Sequence, residues 1–390
     1  MRRAKSRRER LVTPAFLTIT FACLAYFVSI GMILPILPRF VTGPMGGSKF
    51  HVGLVAGIFS VSAIVLRPLA GRLGDSRGRK LLVIAGGSLA AISISGYVLA
   101  TSVFTIAALR LINGIGEAFF FTGAATAIAD IAPEARRGEA VSFFSLALFT
   151  GIGVGPLIGE SLLFASNFST VWIASSFMAA IAVLIALKMP DTRPERRTAA
   201  ARFRVFHPRA LLPGTVLALT VWGFAGFSSF IPLFALQIGM GGSRYVFATY
   251  ALVIVLIRSL GARIPDRLGS RRTASASAVF SAAGLVLIGF SQAEAWLFVS
   301  AAIFGLGQAL CFPALLSLAM AGVPSSERSS VIGSFTAFVD VAFGLGPLSL
   351  GIVAEIAGIR SVFWASAVMA LAGLLVLNTA LRKRRPIAAA

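Results

Sequence analysis

The chain contains one unit twice. A constant offset of 191 positions carries Arg67 onto Arg258, Asp75 onto Asp266, Gly78 onto Gly269, Pro133 onto Pro324 and Arg137 onto Arg328. The same shift lays Gly114-Ile-Gly116-Glu117-Ala118 over Gly305-Leu-Gly307-Gln308-Ala309, and Gly153-Val-Gly155-Pro156 over Gly344-Leu-Gly346-Pro347. Hydrophobic residues make up 57% of the chain and charged residues 13%. A soluble domain carries roughly a quarter charged residues, so this chain belongs in lipid. In so apolar a sequence, a repeat of half the length predicts two equivalent helical bundles facing each other, with a site at their interface.

Apolar runs of about 20 residues mark membrane-spanning helices. Twelve are expected, at 14–40, 51–71, 80–101, 103–130, 138–164, 168–188, 211–238, 245–262, 273–291, 295–322, 329–356 and 361–381. The expected fold is an all-α membrane protein of twelve transmembrane helices in two pseudo-twofold-related six-helix bundles. Residues 1–188 form the first bundle and 211–390 the second. The basic, proline-broken stretch 189–210 reads as a cytoplasmic linker.

A net charge of +21 would point to nucleic acid in a soluble protein. Its placement excludes that reading. With the N-terminus in the cytoplasm, 28 basic residues fall on the cytoplasmic side and only Arg39, Lys49, Arg244 and Arg360 outside. This bias fixes orientation and places both termini inside, as expected of a bacterial inner-membrane protein. The basic tails suit anionic lipid headgroups. The opening Met1-Arg-Arg-Ala-Lys resembles a signal-peptide start, but the apolar run behind it belongs to the repeat and reads as a retained helix. Cys23 and Cys311 lie inside spans without disulfide or metal spacing, and Asn167-Phe-Ser169 is only a formal sequon. The sequence has no phosphate-binding Gly-x-x-x-x-Gly-Lys loop, and both histidines, His51 and His207, fall in expected loops. No enzyme, cofactor or metal site is expected, and a monomer is.

Gly71-x-Leu73-x-Asp75-x-x-Gly78-Arg79-Lys80 resembles the loop signature between helices two and three of the major facilitator superfamily, with a degenerate copy at Arg263 to Arg271. Arg110-x-x-Asn113-Gly114-x-Gly116 agrees with the family's span-four pattern. Gly151-x-Gly153-x-Gly155-Pro156-x-x-Gly159 is similar to the antiporter motif of its drug:proton exporters. The resemblance implies that Asp75, Arg79 and Asp130 form a cytoplasmic gate cluster that latches the outward-facing state, the competing reading being a determinant of topology. Gly71 and Gly78 are expected to allow close backbone approach. Three glycines at four-residue spacing, with Pro156 among them, predict a face packed on a neighbouring helix.

An ionisable group at a helix centre costs about 2.5–3.5 kcal/mol on insertion scales, and such groups mark function by default. Arg110 and Glu117 in span four and Asp340 in span eleven are the candidates for proton or substrate coupling. The repeat sets Glu117 against Gln308 and Asp340 against Phe149, so the charges break the internal symmetry. Seven residues apart on one helical face, Arg110 and Glu117 are expected to interact, either as a static ion pair or as a proton-loading pair. The family pattern has a small residue where Glu117 stands, so Glu117 serves a proton or a cationic substrate. Arg67 and Arg258, about a turn from their span ends, read as snorkelling structural residues. Glu160 and Glu355, at outer span ends, receive no role.

In the family, spans one, four, seven and ten line the cavity. That nominates Tyr26, Asn113, Glu117, Phe121, Trp222, Phe227, Gln308 and Phe312. A lining with few hydroxyl and amide groups suits an amphipathic solute better than a sugar, whose hydroxyls need partners. The reading is a secondary transporter working by alternating access: a proton-coupled exporter of small amphipathic or hydrophobic compounds, its partners being that solute, protons and membrane lipid. A transporter of a defined metabolite is the alternative, and a receptor or scaffold without transport is the alternative of another class.

Overall fold

A computed structural model describes residues 11–133, 136–163, 167–192, 207–261, 267–323 and 327–382. Asp266, Pro324 and Arg263 of the repeat, and 193–206 of the expected linker, lie outside the described residues. The first half comprises α1 (Pro14–Ile33), α2 (Ile36–Thr42), α3 (Lys49–Arg77), α4 (Arg79–Ser95), α5 (Val103–Ile131), α6 (Arg137–Leu162) and α7 (Phe168–Ala186). The second comprises α8 (Pro208–Gln237), α9 (Arg244–Leu260), α10 (Ser270–Phe290), α11 (Glu294–Met320), α12 (Arg328–Ala357) and α13 (Ile359–Arg382). α1 and α2 together form the first span, and a 3-10 turn at Gly96–Leu99 extends α4. Eleven of the twelve spans are long and apolar enough to cross a bilayer by length and composition. The remaining one, α9, has 17 residues where the sequence promised a span over 245–262.

Local signals set the ends of these helices. The Thr13 hydroxyl accepts the Phe16 N–H at 3.2 Å and Pro14 takes the first helical position, where its missing N–H costs nothing. Ser102 caps α5 in the same way through the Thr105 N–H. Gly78 alone separates α3 from α4, at φ +99°, and its repeat equivalent Gly269 opens α10 at φ +83°. Both lie in a region of backbone space that glycine enters without a Cβ penalty, which is why the repeat keeps glycine there.

Packing follows the repeat. In the first half α1 lies on α6 and α7, α4 on α5 and α7, and α3 on α5; in the second, α8 lies on α12 and α13, α10 on α11 and α13, and α9 on α11. The halves meet through two equivalent pairs, α3 with α12 and α6 with α9. Lipid tails are as apolar as the side chains they touch, so close backbone approach and interhelical hydrogen bonds hold such helices together. Gly151, Gly155 and Gly159 of α6 lie against Phe27, Gly31 and Met32 of α1, leaving no room for a Cβ at any of the three. Ser29 of α1 and Ser175 of α7 exchange hydroxyl-to-carbonyl bonds at 2.7 and 2.8 Å.

Candidate functional site

Successive spans run antiparallel, so the Gly78 and Gly269 turns share one face with the first and last helix ends; this is called the terminal face below, and the opposite one the far face. Two carboxylates help tie the halves at the far face. Glu160, at the end of α6, accepts the Ser243 N–H (2.9 Å), the Ser243 hydroxyl (2.9 Å) and the Arg244 N–H (2.8 Å) at the start of α9. Glu355, near the end of α12, accepts the Phe50 N–H (3.2 Å) at the start of α3. Each carboxylate sits on the positive end of a helix from the other half, where free N–H groups point at it. No local sequence signal pairs these acids with helix starts elsewhere in the chain.

At mid-depth one guanidinium joins three helices. Arg67 Nη2 of α3 reaches Glu117 Oε2 of α5 at 3.1 Å and Asp340 Oδ1 of α12 at 2.8 Å, and lies 5.5 Å from the Phe121 ring centre. Asp340 belongs to the second half, so this ion pair crosses the interface. The three side chains retain 19%, 14% and 12% exposure, and Asp340 Oδ2 is buried without a hydrogen-bond partner. Glu160 and Glu355 meanwhile bridge the halves at the far face.

The snorkelling reading of Arg67 is therefore corrected. Its span was expected to end at residue 71, but α3 runs to Arg77, which puts Arg67 roughly three turns inside the helix, out of reach of the surface. Arg110 needs correction too. It donates to the Val55 carbonyl (3.2 Å) and Asn113 Oδ1 (3.3 Å) and stacks over Phe59 at 4.4 Å, with no acid in ion-pair range among the described residues. Two helical turns separate it from Glu117, and Arg67 occupies the acid instead. Asn113 passes the chain of bonds on to Ser93 Oγ at 3.3 Å, so Arg110 ties α5 to α3 and α4.

The other nominated residues divide. Phe121, Trp222 and Phe312 are partly buried; Trp222 donates to Ser349 Oγ at 3.2 Å. Gln308 donates to the Thr220 carbonyl (3.2 Å) and Ser281 Oγ (3.3 Å). Tyr26, Asn113 and Phe227 expose no surface: Tyr26 stacks on Phe120 at 3.9 Å and Phe227 packs among Phe247, Tyr250 and Phe304. They face neighbouring helices in this conformation, because the aromatic rings fill the space between spans.

At the terminal face, Arg79 Nη2 bonds Asp75 Oδ1 at 2.5 Å and Arg79 Nε bonds Asp130 Oδ2 at 3.3 Å, all within the first half. The Arg79 N–H donates to the Thr192 carbonyl (3.2 Å), and Asp191 lies so close to Gly78 that a Cβ would collide with its carboxylate. Lys80 is half-buried at the start of α4. Gly71, expected to permit a close approach, has nothing among the described residues within 4 Å of the place a Cβ would take. Pro156 lies inside α6 beside the glycine face.

A twofold-repeated helical pair of bundles with buried charge at its seam defines a membrane transporter. The family model for the Major Facilitator Superfamily matches residues 19–265 and 237–389, and the chain belongs to that family. It is similar to the MFS-type transporter YhhS of Escherichia coli K12, at 28% identity over 371 residues covering 93% of this chain and 91% of the relative. The MFS-type transporter BURPS1106A_3201 of Burkholderia pseudomallei is 30% identical over 382 residues, covering 94% and 91%. Among solved structures, an inward-facing, unoccupied bacterial homologue of the human lysosomal transporter Spinster superposes with a TM-score of 0.78 at 15% identity, covering 96% of this chain and 98% of that one. The human organic anion transporter MFSD10 gives 0.73 at 21% identity, covering 94% and 100%. These likenesses concern the fold.

Proposed function

We propose that this transporter is a proton-coupled exporter of small amphipathic compounds, held here with its cavity open to the cytoplasm. The observation that carries the reading is the single Arg67 guanidinium shared by Glu117 of one half and Asp340 of the other. Two ionised carboxylates and one guanidinium sum to one negative charge, so the cluster has room for one proton and is neutral once it holds it. Asp340 Oδ2, buried and without a partner, is the oxygen that takes it. Protonation of Asp340 removes the attraction that bridges the halves, and charge in a low-dielectric setting makes that attraction worth keeping or losing. Proton occupancy thereby changes how firmly α3 is held to α12, which is the coupling that alternating access requires.

Asp75, Arg79, Lys80 and Asp130 serve in this reading as the cytoplasmic gate, at rest within the first half until the terminal face closes. The Gly151, Gly155, Pro156 and Gly159 face keeps α6 seated on α1 while the bundles rock. The lining that retains exposure, Phe121, Trp222 and Phe312, is aromatic and suits amphipathic solutes.

The test is export of an amphipathic xanthene dye from proteoliposomes under an imposed pH gradient, the anion fluorescein and the cation rhodamine 6G each being tried. Glu117→Gln and Asp340→Asn should each lower gradient-driven flux to the level of protein-free vesicles. If both variants move dye against the gradient at the unmodified rate, the coupling assignment is wrong.

A further inference from the structure

The repeat places a second guanidinium where Arg67 has its twin, and the twin's surroundings differ. Arg258 of α9 stands at the repeat equivalent of Arg67, Phe149 of α6 at that of Asp340, and Gln308 of α11 at that of Glu117. The pseudo-symmetry holds in space: as Arg67 meets Asp340 across one seam between the halves, Arg258 lies 4.3 Å from the Phe149 ring centre across the other. Neither acid is matched. Gln308 turns away to Thr220 and Ser281, and no ion pair forms at Arg258 among the described residues.

Among the described residues, what surrounds Arg258 is neutral. Its Nε donates to the Ala309 carbonyl at 3.1 Å, and its nearest titratable neighbours are the Tyr250 phenol and the Cys311 thiol, both uncharged near pH 7. The two terminal nitrogens make no hydrogen bond among the described residues, and the side chain is partly buried. A guanidinium in such a place keeps its charge and presents a planar fork of donors, the geometry that accepts a carboxylate, sulfonate or phosphate by two parallel bonds. The Phe149 ring beside it offers a flat apolar face.

We infer that Arg258 and Phe149 form an anion-binding subsite, and that the exported solute is an amphipathic organic anion whose acidic group lies on Arg258 and whose apolar body lies along Phe149 and the aromatic lining. The inference rests on the export reading above and narrows its substrate class. One seam of the repeat thus carries the proton and the other the solute.

Two xanthene dyes of similar ring size and opposite charge test it: fluorescein, an anion, and rhodamine 6G, a cation. Binding to the purified protein in a neutral detergent is read by fluorescence polarisation. Fluorescein should bind the unmodified protein, and Arg258→Gln should weaken it by roughly tenfold or more, the scale of a charge-assisted pair of bonds. Phe149→Asp keeps the arginine but supplies the missing acid of the twin site, and should weaken fluorescein equally. Monodisperse elution and an unshifted unfolding midpoint establish that both variants are folded. Phosphatidylglycerol added to the micelles should leave fluorescein bound; its displacement at a low mole fraction of lipid would assign the site to a headgroup phosphate and overturn the proposal. Absence of fluorescein binding, or binding indifferent to both substitutions, also overturns it. Movement of rhodamine 6G under a pH gradient by the unmodified protein shows in that event that export stands and only the anion subsite has failed. Fluorescein binding that both substitutions weaken, with neither dye moved by a pH gradient, is the reverse: the subsite stands and the coupled-export reading falls.

Discussion

The two seams between the halves are built from one repeated unit and differ in charge. At the first, Arg67 holds Glu117 and Asp340; at the second, Arg258 lies on Phe149 while Gln308 bonds within its own half. The helices that meet are equivalent in both cases, α3 with α12 and α9 with α6. A few side chains therefore set the two seams apart on a symmetric frame, and the asymmetry is chemical rather than architectural. The same substitution made in each half should give unequal results wherever the halves have diverged.

The largest inequality is expected on removing the arginines. Arg67→Ala leaves two buried carboxylates facing each other, and breaking a buried pair by deleting one partner costs about 3–5 kcal/mol. Arg258→Ala strands no acid, so its unfolding midpoint should stay close to that of the unmodified protein. Thermal unfolding in detergent compares them, and equal losses would mean that the Arg67 cluster does not hold the halves.

The turn glycines come next. Gly78→Ala and Gly269→Ala each force a side chain into a strained backbone region, at about 1–3 kcal/mol. At Gly78 the new methyl also meets Asp191, whereas among the described residues nothing lies within 4 Å of a methyl at Gly269. Gly78→Ala should be the more destabilising of the two by chemical denaturation, and the reverse order would contradict the packing of Asp191 on the turn.

The smallest difference belongs to the far-face carboxylates. Glu160 accepts three bonds from the start of α9, and Glu355 accepts the Phe50 N–H at the start of α3. A charge at a helix start is worth about 0.3–1 kcal/mol, so replacing either by glutamine shifts the balance between open and closed far faces by a few-fold. Spin-label distances across the far face should lengthen more often in Glu160→Gln than in Glu355→Gln. Unchanged distances in both would remove these acids from the closure of that face.

How much of this was legible in the sequence depends on whether the signal was local. The repeat offset and the apolar runs reveal the paired bundles, and the same offset aligns Gly78 with Gly269, which share a positive φ. Glu117 and Asp340 stood out because charge at membrane depth is costly. Their partner did not, because an apolar run that stops at residue 71 hides a helix that continues to Arg77 and carries Arg67 inward. Arg110 was paired with Glu117 by helical face alone, and facing the same way two turns apart is not contact. The roles of Glu160 and Glu355 were invisible for a further reason: each caps a helix from the other half, and no local pattern records which helix start lies opposite.

One property of the Arg67 cluster reaches beyond packing. On the proposed proton-coupled reading, a unit that bears one negative charge when empty and none when protonated feels the transmembrane voltage in one half of the cycle only, at up to about 2.3 kcal/mol per charge for each 100 mV crossed. That reading makes reorientation of the unprotonated carrier the voltage-dependent step of the cycle.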